Sequence, residues 1–186
     1  YTFDNAAPTD LVVTPAAGDQ CLGTDNFVWT VKATDANLYA LEIDHNIGAL
    51  PEFTVYADAD NPWGDQAAAD QASAVGLNLT YTAAGNDGTW TFTFDRNGSA
   101  WNTIYANGGI TFYTVLSDCN NNELGSMSPT TPANTFAYTF DNAAPTDLVV
   151  TPAAGDQCLG TDNSVWSASV TVANSYAIEF DHNTGP

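Results

Sequence analysis

The chain has 186 residues, 44% of them apolar and 12% aromatic, with 22 Asp and Glu against only Lys32 and Arg96, for a net charge of −20. That apolar content excludes a disordered acidic tail. The charge excludes nucleic acid and anionic membrane surfaces as partners, because phosphate binding needs clustered Lys and Arg.

Alternation of apolar and polar residues with a period of two recurs along the chain and predicts strands. Leu11–Val13 forms a short first strand ending at Pro15. Trp29, Val31 and Ala33 line one face of the next, and Tyr39, Leu41 and Ile43 one face of another. Phe53 and Val55 mark a shorter strand. Asp60-Asn61-Pro62 offers a cap and a first-turn proline for a helix over Gln66–Ser73, which is rich in Ala. Val75, Leu77, Leu79 and Tyr81 alternate with small or polar residues as a half-buried strand. Asn86-Asp87-Gly88 signals a hairpin turn into Trp90, Phe92 and Phe94. Asn107-Gly108-Gly109 leads into a long strand over Ile110–Ser117, and Phe136, Tyr138 and Phe140 form the last. Seven or eight strands separated by turns predict an all-β, two-sheet antiparallel sandwich.

One block of sequence occurs twice. Tyr1–Asn26 is repeated without change at Tyr138–Asn163, 137 positions on, and 38 of the 49 positions match over Tyr1–Ala49 and Tyr138–Pro186. A period of this length is that of a whole domain. The later differences keep the pattern: Val31 and Ala33 become Ala168 and Val170, and Leu41 and Ile43 become Ile178 and Phe180. The expected organisation is the end of a preceding unit with its junction at 1–9, a complete sandwich at 10–141, and the first strands of the next unit at 142–186. With no N-terminal Met or signal peptide, the chain reads as an excised or mature piece. The apolar residues of the second copy, Trp166 and Tyr176 among them, need a cover. Either a continuing chain or strands donated by a neighbouring copy would supply it, and both routes make a linear polymer.

A terminal strand running through Tyr-Thr-Phe-Asp-Asn-Ala-Ala-Pro-Thr into a new strand resembles the junction of tandem bacterial and archaeal Ig-like domains of surface fibres, adhesins and S-layer-like coats. Phe112–Asn122 is similar to the late strand and polar loop of such domains. The Pro51–Ser73 insertion and the cysteine pair depart from that pattern. The resemblance implies Ig-like repeats at the cell surface, acting as a structural filament, stalk or coat, with neighbouring copies as partners. The alternative is an adhesin or carbohydrate-binding module, with Trp63 and Trp101 in loops stacking on glycans. Scarce Lys with abundant Thr, Asn, Gly and Asp fits an extracellular setting, and no apolar run reaches the roughly 20 residues of a membrane-spanning helix.

Oxygen-rich clusters are candidate calcium ligands. At the junctions these are Asp4, Asn5 and Asp10, and in the second copy Asp141, Asn142 and Asp147. Cadherin-like arrays clamp neighbouring domains through a similar Asp-Asn-x-x-Pro junction. Asp58, Asp60 and Asp65 in DADNPWGD form another candidate, although they lack the EF-hand spacing. Asp118 and Glu123 flank a third, at Asn120–Asn122. For each, the competing reading is turn-capping by local hydrogen bonds.

Cys21 and Cys119 are expected as a disulfide within the unit, closing a loop worth roughly 4–5 kcal/mol. Cys119–Cys158 and free thiols are the alternatives. Asn78 and Asn97 begin N-glycosylation sequons. His45 and His182 lie in equivalent turns with no nucleophile or metal partner identifiable by spacing, so no enzyme is expected. Lys32 does not qualify for an Asn–Lys crosslink, because it faces opposite to Trp29 and Val31 and its counterpart is Ser169.

Overall fold

The computed structural model describes residues 5–22, 25–48, 50, 52–125, 134–141, 146–151 and 167–171. The chain divides into two compact units, Tyr1–Phe140 and Asp141–Pro186.

The first unit is a β-sandwich. One sheet holds β1 (Thr9–Thr14), β3 (Phe27–Thr34), β7 (Asp87–Phe94) and β6 (Leu77–Ala84), in the spatial order β1-β3-β7-β6. The other holds β2 (Gly18–Gln20), β10 (Thr135–Phe140), β8 (Gly109–Asp118), β4 (Leu38–His45) and β5 (Phe53–Tyr56), in the order β2-β10-β8-β4-β5, with β9 (Glu123–Leu124) also paired to β8. All pairings are antiparallel except β2 with β10. The period-two pattern sets the inner face, since Phe27, Trp29, Val31 and Ala33 of β3 are fully buried while Val28 and Lys32 face solvent. Across the core Trp29 stacks on Phe112 at 4.1 Å and 9°. Its indole N–H donates to the Tyr138 hydroxyl at 3.0 Å, and that hydroxyl donates to the Pro15 carbonyl at 2.9 Å. One aromatic column thus ties both sheets to the bend after β1.

Several local details differ from the sequence reading. The β4–β8 register shifts between Leu38 and Ala40, a bulge that breaks the alternation. Tyr39 is therefore 48% exposed rather than inward with Leu41 and Ile43, and it meets Tyr56 edge-on. The hairpin turns at Gly85-Asn86, where Gly85 has φ +66°, and Asp87-Gly88 already belong to the strand. The first helix, α1 (Gln66–Ala74), is capped by Asp65, whose Oδ1 accepts the Ala68 N–H at 2.8 Å, and not by Asp60-Asn61. Val75 is its C-cap, and β6 begins only after Gly76.

A second helix, α2 (Ser99–Ala106), was not expected. Ala100, Trp101 and Ile104 follow helical spacing and are buried. The start of α2 lies against the end of α1 through two glycines. A Cβ on Gly98 would sit 2.6 Å from the Val75 carbonyl oxygen and 2.9 Å from the Gly76 Cα. Both obstacles are backbone, so Gly98→Ala is expected to destabilise the unit by about 1–3 kcal/mol, read as a lower urea midpoint at unchanged slope.

In the second unit the described residues form one hairpin, β11 (Thr146–Thr151) with β12 (Ser167–Thr171). Its register repeats that of β1 with β3 after adding 137 to each number: Thr9↔Thr34 becomes Thr146↔Thr171, and Val13↔Val31 becomes Val150↔Ala168. The irregularity is also repeated. It falls between Thr9 and Val12 in one copy and between Thr146 and Val149 in the other, with Asp10 at φ 53° and Asp147 at φ 54°. The fold is thus an all-β sandwich unit followed by a separate unit in which one strand pair, β11 with β12, is described.

Candidate functional site

Asn5, Asp10 and Asp147 are exposed, and Asp141 is half-buried. Asp10 and Asp147 each accept a hydrogen bond from the preceding threonine hydroxyl, Thr9 at 3.3 Å and Thr146 at 3.1 Å. Asp4 and Asn142 lie outside the described residues. In DADNPWGD, Asp58 Oδ1 accepts the backbone N–H groups of Asp60 and Asn61, and Asp65 caps α1. Asp60 is exposed. Asp118 is fully buried and closes its own turn: Oδ1 accepts from Asn120 N and Asn122 N at 2.8 Å, and Oδ2 from Asn122 Nδ2 at 2.7 Å. Burial raises its pKa, but the bonds from Asn122 and Asn120 outweigh it and hold the carboxyl below the ordinary value. Local turn chemistry thus occupies Asp58, Asp65 and Asp118. Among the described residues no three His, Cys, Asp or Glu side chains converge as a metal site.

The disulfide expectation is corrected. Cys21 and Cys119 are exposed, free thiols. Gln20 pairs with Phe140, and the Phe140 N–H donates to the Gly108 carbonyl, so Cys21 lies beyond the Gly109 end of β8. Cys119 follows Asp118 at the opposite end. The length of β8 separates them, about 30 Å at ~3.3 Å per residue, whereas a disulfide needs Cα atoms within about 7 Å. Cys158 lies outside the described residues.

Asn78 faces outward from β6 and Asn97 sits in the turn before α2, so both sequon asparagines are exposed. Lys32 pairs with Asp87 at 2.6 Å on the outer face of the first sheet. This contact, with a hydrogen bond from Thr34, lowers the Asp87 pKa. His45 is buried at the end of β4, and His182 lies outside the described residues. Of the two tryptophans proposed to stack on sugars, Trp101 is only 3% exposed and packs edge-on against Phe140 at 4.9 Å. Arg96 lies 5.3 Å over its ring. Its assignment to an exposed loop is therefore corrected. Trp63 is half-buried and meets Phe53 edge-on at 5.6 Å.

What the sequence reading missed is a cavity of about 760 Å³. The insertion between β5 and β6 carries α1 from the edge of one sheet to the edge of the other. The helix therefore lies along the open side of the sandwich and lines the gap with Ala68, Gln71 and Ala72, of which the two alanines are too small to fill it. Leu77, Phe94, Ile110 and Phe112 contribute apolar lining from both sheets, and Phe53, Tyr56 and Trp63 aromatic lining. The volume lies within the roughly 300–1,000 Å³ of small-molecule sites. The available signal was an Ala-rich helix inserted between aromatic edge strands.

No protein-family model matches the chain, and a search of curated proteins finds no match.

Proposed function

We propose that the chain belongs to a structural extracellular repeat protein, in which Ig-like sandwich units of 137 residues join head to tail into a surface filament, stalk or coat. The observation that carries this reading is the repeated register of β1–β3 and β11–β12, bulge and left-handed aspartate included. Exposed Asn78 and Asn97 and the scarcity of cations support an outer-surface setting, with both asparagines as glycan acceptors. The adhesin reading loses Trp101 to the core and keeps Trp63. Immunogold labelling of the source cells with an antibody to one unit is expected to decorate regular surface structures, and label confined to the cell interior would reject the proposal.

Calcium at the Asp-Asn junctions is part of the same proposal. A chain of net charge −20 repels itself when compact. Raising NaCl from about 10 to about 150 mM is therefore expected to raise the melting temperature by screening. Millimolar Ca²⁺ at matched ionic strength is expected to raise it further, with a midpoint on the order of 10⁻⁴–10⁻³ M. Identical melting in the two salts would leave screening alone and remove the junction ion.

A further inference from the structure

The cavity beneath α1 has a composition that selects its occupant. Glu52, Asp58 and Asp65 line it, and no Lys or Arg does. Both cations of the chain are engaged elsewhere, Lys32 with Asp87 and Arg96 over Trp101 and Tyr105. His45 is the one lining side chain of the basic type, so an anionic ligand would meet three carboxylates and no permanent counter-charge. The chain's overall charge repels it as well.

Two edge-to-face aromatic pairs belong to the same lining. Tyr39 meets Tyr56 at 5.6 Å and 73°, and Phe53 meets Trp63 at 5.6 Å and 62°. None of the four rings is fully buried. Tyr39 reaches this position because of the β4 bulge, and Trp63 because the insertion folds back, with the Tyr56 N–H donating to the Pro62 carbonyl. Aromatic faces present negative potential, so rings beside carboxylates attract a diffuse positive charge carried on apolar groups. Such a cation is weakly hydrated and also suits the apolar lining of Leu77, Ile110 and Phe112.

We infer that this cavity binds an organic cation, an amine or quaternary ammonium group on an apolar body. The inference concerns one unit alone and stands whether or not units assemble into an array.

The test is an NMR titration of the full chain with choline, following the Trp63 indole N–H. The comparators are choline's neutral isostere with carbon in place of nitrogen, benzenesulfonate, and the neutral disaccharide cellobiose. Saturable choline binding at about 150 mM NaCl, where diffuse surface attraction is screened, is expected to be at least tenfold tighter than that of the isostere. Benzenesulfonate is expected not to bind. Read on the backbone N–H groups of Phe53 and Tyr56, which also line the cavity, Trp63→Ala is expected to weaken choline at least fivefold and Glu52→Gln about threefold. Ala68→Phe, which fills the cavity from the helix, is expected to abolish binding while leaving the indole signals of the buried tryptophans dispersed. Equal binding of the isostere would overturn the inference, as would saturation by cellobiose without choline. So would choline shifts scattered over the surface and removed by salt.

Discussion

Replacing Trp101 with Ala is expected to destabilise the first unit by about 3–5 kcal/mol, the range for removing a large buried aromatic side chain. The indole is 3% exposed and packs against Phe27, Phe140 and Tyr105. Truncation would open a void where α2 meets the sandwich and remove the ring under Arg96. Trp101→Phe keeps part of the packing and should lose correspondingly less. Denaturant unfolding followed by circular dichroism measures both. A surface platform for sugar would behave differently, with its loss changing stability by no more than about 0.5 kcal/mol. The variant thus tests the placement of α2 and the assignment of Trp101 to the core together.

The second large effect lies at Tyr138. Its hydroxyl joins the Trp29 indole N–H to the Pro15 carbonyl, and the residue is 1% exposed. Tyr138→Phe leaves both groups without that partner and is expected to cost about 1–3 kcal/mol. Burial pushes the Tyr138 pKa from 10.0 up to about 12, with the bond from Trp29 pulling weakly the other way. The folded state therefore holds a proton that the unfolded chain releases near pH 10. The associated stability is fully present below pH 10 and is lost as pH rises from about 10 to 12. The loss amounts to roughly 2–3 kcal/mol at about 1.4 kcal/mol per unit. Burial raises Tyr81 as well, which adds in the same direction. Urea midpoints measured between pH 9 and 12 should fall steeply in the native chain and less steeply in Tyr138→Phe. Parallel slopes would place the alkaline transition elsewhere.

The sandwich was legible because burial on one face leaves a period-two record. Trp29, Val31 and Ala33 of β3, and Trp90, Phe92 and Phe94 of β7, are buried as their alternation requires. The repeat was legible because it is written in identical residues. Other features depend on information that is not local. Tyr39 fits the alternation by number, but a bulge shifts its phase. Trp101 follows a sequon and a glycine, so a turn reading hid an eight-residue helix whose Ala100, Trp101 and Ile104 share one buried face. The two cysteines each flank a strand, yet only the parallel pairing of β2 with β10 reveals that they lie at opposite ends of β8. The acidic motifs were visible as residues, but their hydrogen bonds decide their use, and Asp65 and Asp118 are taken up by the local backbone. The cavity could not be read in one dimension, since it arises where an Ala-rich helix bridges strands distant in sequence.

The central claim is that the 137-residue unit folds as a domain and recurs. The most direct measurement is amide hydrogen exchange on a chain in which the second copy is completed by appending residues 50–137 of the first. In that chain β11 and β12 are expected to reach the protection of β1 and β3, residue for residue, with Thr146 and Thr171 matching Thr9 and Thr34. Rapid exchange throughout the completed second copy, beside a protected first copy, would contradict a repeating domain.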